Sequence, residues 1–184
     1  MTPHETELTL QSALRGEQTS YRRLFEEYSG GVYTTVVRLT GKTEVAEELT
    51  QDVFLRAFNA LQSFDSQRGT FYTWIQRIAY NMAISYLRQK KPPEAETIDL
   101  ELDRLDEPPP EYLHESFSEK DESKIERLMR AIESLPTTEQ HLLTLYYFEE
   151  RSLQEISYII GISTAALSSR LSRIRKKLYH KLSA

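Results

Sequence analysis

The stretch from residue 92 to 124 rules out more folds than any other feature of this chain. It holds Pro92, Pro93, Pro108, Pro109 and Pro110, five of the seven prolines, and its acids outnumber its bases twelve to three. Rings that fix φ and remove a backbone donor at five places forbid a continuous helix, and a net charge of −9 repels itself. The stretch reads as an acidic linker between two helical modules, 1–91 and 125–184. Because the whole chain carries only −5, everything outside the linker sums to +4. The acidic total therefore does not argue against a nucleic-acid partner.

The C-terminal module ends in two short helices around a tight turn. Ser152 and Glu155 have capping-box spacing, Leu153, Ile156, Ile159 and Ile160 share one face, Gly161 suits a positive φ, and Ser163 can cap the next helix. That next helix has an apolar stripe of Leu167, Leu171, Ile174 and Leu178. From 165 to 184 it carries Arg170, Arg173, Arg175, Lys176, Lys177 and Lys181 with no acid. At 100° per residue, Ala165, Ser169, Ser172, Arg173 and Lys176 lie opposite the stripe, where base edges would meet them. Ser168, Arg170, Arg175 and Lys177 flank that face, within reach of phosphates. This is the outline of a helix-turn-helix DNA reader, although cations alone would equally make a solvated face.

In the N-terminal module apolar residues recur at three and four from residue 16 to 91, so strands are not expected. Leu24, Phe25, Tyr28, Val32, Val36 and Leu39 trace one helix, weakened by Gly30 and Gly31. Thr43 can cap a second, with Glu44, Glu47 and Glu48 in its first turns and Ala46, Leu49, Val53, Ala57 and Leu61 facing inward. A loop over 64–69 leads to a third helix, about 70–90. From 68 to 91 there are five cations and no acid, interleaved with Phe71, Tyr72, Trp74, Tyr80 and Tyr86. Cations alternating with flat rings suit single-stranded nucleic acid, on which bases can stack; the opposing reading places rings in the core, as the spacing of Trp74, Ile75, Ile78 and Met82 favours.

Absence of cysteine excludes disulfides and thiolate sites and suits a reducing cytoplasm. No apolar run approaches the roughly 20 residues of a membrane span, and residues 1–14 are polar and acidic, unlike a signal peptide. Four scattered histidines, no glycine-rich phosphate loop and no paired carboxylates in an apolar setting argue against an enzyme and against any metal or cofactor.

Three stretches together resemble the sigma-70 family of bacterial transcription initiation factors, in its small extracytoplasmic-function group. The run Glu47, Glu48, Leu49, Thr50, Gln51, Asp52, Val53, Phe54 is similar to the group's core-polymerase-binding helix. Phe71 through Asn81, with Tyr86, Leu87 and Arg88, is similar to the helix that melts the promoter and reads its minus-10 element. Leu135 and Pro136, then Glu155, Ile156, Gly161, Ile162 and Ser163, then Ser169 through Arg173, resemble the minus-35-reading domain.

The resemblance implies an all-α chain of two small helical domains, sigma region 2 over 1–91 and the region 4 helix-turn-helix over 125–184, joined by the acidic Pro-rich linker. It implies core RNA polymerase, promoter DNA and an anti-sigma protein as partners, with no membrane insertion and no small-molecule substrate. Glu48, Gln51 and Asp52 would meet the polymerase clamp helices. Phe64 and Asn81 would shape a pocket for a flipped non-template base, with Arg56, Arg77 and Arg88 near backbone phosphates. Ser168, Ser169, Arg170, Ser172, Arg173 and Lys176 would face the minus-35 element. The chain departs from the family at Ser85, often an acid, at Ser168, commonly a cation, and at Ala165 and Ala166, commonly Gly-Thr. A sigma mimic that only sequesters an anti-sigma protein is the alternative; it explains both folds, yet has little use for Asn81 and so many cations.

Overall fold

A computed structural model describes residues 1–90 and 122–183. Most of the acidic stretch lies outside the described residues. Those residues form helices α1 (Pro3–Leu14), α2 (Gln18–Thr40), α3 (Thr43–Asn59), α4 (Phe71–Lys90), α5 (Glu122–Glu133), α6 (Thr137–Leu143), α7 (Leu153–Ile160) and α8 (Thr164–Ser183). No strand occurs among them. Contacts divide the chain into two units, the first built on α1–α4 together with residues 154–161, most of α7, and the second on α5, α6 and α8.

In the first unit α2, α3 and α4 pack on one another and α1 lies on α2. Leu24, Val32, Val36, Ala46, Val53, Ala57, Ile75, Ala79 and Ala83 are each fully buried. Four of these are alanines, which let helix axes approach closely. On α4, Ala79 and Ala83 take the inward places expected of Ile78 and Met82, which are half-buried. The helix α2 runs unbroken through Gly30 and Gly31 and stops at Gly41, whose φ of +67° a residue with a Cβ adopts less readily. Its neighbour α3 starts one residue earlier than a Thr43 cap would allow: Lys42 is the N-cap, Thr43 is the first helical residue, and no side chain caps the end. The expected cap appears instead on α4, where Thr70 Oγ1 accepts the Thr73 N–H at 3.1 Å.

Helix α1 was not expected. Thr2 and Glu5 form a full capping box, Glu5 Oε2 accepting the Thr2 N–H at 2.8 Å and Thr2 Oγ1 accepting the Glu5 N–H at 3.2 Å, with Pro3 in the first turn. Thr6 and Tyr28 hydroxyls meet at 2.8 Å and Tyr21 donates to the Ala13 carbonyl at 2.6 Å, tying α1 to α2.

In the second unit Leu142, Leu167 and Ile174 are fully buried. The Gln140 amide caps the end of α5 through the carbonyls of Glu133 and Leu135, at 3.0 and 2.8 Å. Arg127 does the same for α8 through the Leu182 carbonyl at 2.7 Å. After α6 the chain widens into one π-helical turn, Thr144–Phe148, closed by the Glu149 N–H on the Thr144 carbonyl at 2.9 Å. Glu150 leaves that turn at a φ of +51°.

Candidate nucleic-acid interface

The end of α7 and the start of α8 form the tight turn expected of a reader. Gly161 takes a φ of +82°, Ser163 Oγ accepts the Ala166 N–H at 3.2 Å, and α8 follows from Thr164 without a gap. Leu167, Leu171 and Ile174 are buried and Leu178 is half-buried, so the apolar stripe stands as read. Opposite it Ala165, Ala166, Ser168 and Ser169 are exposed, while Ser172, Arg173 and Lys176 are half-buried. Ser168 turns its proton back to the Thr164 carbonyl at 3.0 Å, which leaves its oxygen as an acceptor.

Two flanking cations are engaged within the unit. Arg170 donates to Thr138 Oγ1 at 3.2 Å, and Lys177 pairs with Glu139 at 2.9 Å with both side chains largely covered. Sequence reasoning put both on a phosphate-facing flank; a helix wheel cannot see an acid supplied by α6.

On α4 the structure brings part of the expected minus-10 set together. Arg77 and Asn81, four residues apart on one face, line a cleft with Arg56 from α3 and with Asp65 and Arg68 from the preceding loop. Phe64 is half-buried against this wall, its ring 5.7 Å from Phe71 and 5.5 Å from Trp74. Arg88 is exposed but lies eleven residues past Arg77, roughly 16 Å along the helix, and does not line the cleft. Three cations and one carboxylate make this concavity attractive to a phosphate backbone.

The expected row of stacking rings is corrected by the packing. Phe71, Trp74 and Tyr80 are 2%, 9% and 7% exposed, so three of the five aromatics belong to the core and cannot receive bases on their faces. Tyr72 rests in a slot of α2, and Tyr86 lies beneath the Lys90 ammonium at 4.6 Å. The acid-free helix thus offers cations and Asn81; its Trp74 lines the cleft, and Phe64 packs against Trp74.

A shallow apolar groove between α2 and α3 is lined by Phe25, Tyr33, Thr50 and Gln51 among others. Glu48 and Asp52 are exposed on the same helix as Gln51. Phe25, assigned above to the buried stripe, is 37% exposed, and Leu55 is 62% exposed. Leu24 and Phe25 are adjacent and therefore about 100° apart, and only one of them points fully inward. Leu24 does, and the left-over ring was the signal for this groove.

Among the described residues no three His, Cys, Asp or Glu side chains gather as metal ligands, and no helix is long and apolar enough to cross a membrane.

Residues 24–92 match the family model described as Sigma-70 region 2, and residues 125–178 match Sigma-70, region 4. The ECF RNA polymerase sigma factor SigE of Mycolicibacterium smegmatis is 31% identical over 86% of this chain and 60% of its own length. SigW of Bacillus subtilis, also named an ECF RNA polymerase sigma factor, is 28% identical over 91% of both chains. The chain spans less than two thirds of some curated relatives, 43% of one from Xanthomonas campestris pv. campestris. Among solved structures, CnrH in complex with the cytosolic domain of CnrY matches 96% of each chain with a TM-score of 0.62 at 20% identity, a likeness of fold.

Proposed function

The chain belongs to the sigma-70 family, in its extracytoplasmic-function group, and from that premise we propose that it binds core RNA polymerase and directs it to promoters by reading minus-10 and minus-35 elements. Residues 1–91 serve as region 2, residues 125–184 as region 4, and 92–124 as the linker. The groove beside Gln51, with exposed Glu48, Asp52, Phe25 and Leu55, suits a helical partner that offers both apolar and basic side chains. We assign it to the polymerase.

The observation that carries the reading is the convergence of Arg56, Arg77 and Asn81 on one cleft beside Phe64. Unstacking a base costs a few kcal/mol, which a pocket must repay. Arg56 and Arg77 hold the backbone while Phe64 gives the flipped base an aromatic edge and Asn81 offers both a donor and an acceptor. Arg88 meets the backbone farther along. On α8, Ser168, Ser169, Arg170, Ser172, Arg173 and Lys176 address the minus-35 duplex, Arg173 reading base edges and Lys176 drawn to phosphate. An anti-sigma protein and a cytoplasmic location belong to the same proposal.

Run-off transcription with core polymerase from the chain's own source tests it: promoter-specific transcripts are expected only with the chain present. A chain that binds the polymerase yet opens no promoter would fit the decoy alternative instead.

A further inference from the structure

The α2–α4 interface carries a polar pair in otherwise apolar surroundings. Thr35 and Gln76 are 5% and 3% exposed, and the Thr35 hydroxyl lies 2.7 Å from Gln76 Oε1 as its donor. The other end of the same amide, Gln76 Nε2, is buried without a hydrogen-bond partner. A buried donor left unmet costs stability, so an apolar pair of the same shape would hold this interface at least as well. The pair therefore calls for a reason other than stability.

One turn earlier on each helix stands a second specific contact. A Cβ on Gly31 would lie 2.8 Å from Cε2 and from the hydroxyl of Tyr72, so a side chain there would displace this ring from its place. Residues 31 and 35 are four apart on α2, and residues 72 and 76 are four apart on α4, so the two contacts share a face on each helix and advance in step. The contacts around them, from Ile75, Ala79 and Ala83, are apolar and non-directional, and would tolerate sliding or rotation. A hydrogen bond from a β-branched hydroxyl with few rotamers does not.

We propose that this two-point key, Gly31 with Tyr72 and Thr35 with Gln76, fixes the register and rotation of α4 against α2 and so aims Arg77 and Asn81 into the cleft. Thr35 and Gln76 are then positioning residues for an opened DNA strand, a last step that rests on the function proposed above. A slip of one residue would turn α4 by about 100° and carry Arg77 and Asn81 off the cleft.

The test uses the full chain with Thr35→Ser, which keeps the hydroxyl, and with the double variant Thr35→Val/Gln76→Leu, which makes the interface apolar and leaves no buried donor unmet. Trp74, the single tryptophan of the chain, sits on α4 and reports its packing by near-ultraviolet circular dichroism without any DNA. The double variant is expected to unfold at a midpoint no lower than the parent. Its Trp74 signal should be largely lost, and with core polymerase bound it should hold a fluorescent single-stranded non-template oligonucleotide several-fold more weakly. Thr35→Ser should match the parent in all three. A double variant with the parental tryptophan signal and parental strand affinity overturns the proposal, as does one whose only change is a lower midpoint. If the parent itself captures no single strand while the double variant still loses its tryptophan signal, the key stands and the promoter-opening function falls.

Discussion

Two helices of 20 residues each, α4 and α8, share the absence of any acid and are built into the molecule in opposite ways. Eight residues of α4 are buried, from Phe71 to Ala83, and they occupy most of its circumference. On α8 three are buried, Leu167, Leu171 and Ile174, along one narrow stripe. An enclosed helix presents its few outward side chains at fixed positions, which suits a pocket for one base. A helix held by a stripe leaves a broad polar flank, which suits a groove and a run of phosphates. The three cations of α4 thus sit in a setting suited to shape selection, and the six of α8 in one suited to Coulomb attraction.

The largest expected effect that bears on this contrast is on stability. Ile75→Ala in α4 removes a fully buried side chain and should cost about 4 kcal/mol in urea unfolding, against about 2 to 3 for Leu167→Ala, equally buried but on a helix that buries only three residues. Equal costs would break the claim that α4 is the more enclosed.

Next comes the pocket. Asn81→Ala or Phe64→Ala should leave closed-complex affinity near the parental value and slow opening by about a hundredfold, the equivalent of nearly 3 kcal/mol of unstacking no longer repaid. Permanganate reactivity of thymines near the start site reads this directly. Loss of closed-complex affinity of the same size would mean that α4 works by charge, like α8.

A smaller effect sharpens the α8 side. Arg173→Ala should lose about 1 to 3 kcal/mol of discrimination at one base pair, whereas Lys176→Ala should weaken binding on all sequences and lower the salt slope by roughly one. Matching specificity profiles for the two variants would refute that division.

The smallest effect concerns the α1 cap. Hydrogen bonds from the Thr2 backbone N–H and then its hydroxyl, with Arg23 adding attraction, hold the Glu5 carboxyl below its ordinary value. A carboxyl lowered on folding stabilises the helix above its unfolded pKa and loses that contribution as pH falls through the folded value. Amide protection in α1, measured against the intrinsic exchange rate at each pH, should therefore fall on acidification, and Glu5→Gln should flatten that dependence.

How far the sequence carried depends on what each residue's partner was. The apolar stripe of α8, most of that of α2, the Gly161 turn and the Ser163 cap are local patterns, and each was readable because its partners lie within four residues, whereas on α4 Ile78 and Met82 gave way to Ala79 and Ala83. The side chains that were misread answer to distant ones: Phe25 displaced by Leu24, Phe71 and Tyr80 drawn into the core, Lys177 captured by Glu139 from another helix. In the candidate site, Arg56, Arg77 and Asn81 met as expected, while Arg88 did not, because eleven residues of helix separate it from the cleft. Helix α1 was legible after all in Thr2, Pro3 and Glu5, a capping signature passed over because the segment was weighed only as a possible leader.

The π-helical turn at Thr144–Phe148 makes chain length itself a determinant of this unit's architecture. Such a turn accommodates one residue more than an α-helical turn would, and Glu150 follows it in a backbone conformation usually left to glycine. A relative shorter by a single residue here would close the turn as ordinary α-helix and send the following chain off about 100° away. Insertions and deletions between α6 and α7 are therefore a coarser lever on this fold than most substitutions, and an alignment gap at this point would mark a change of exit direction rather than a harmless loop trim.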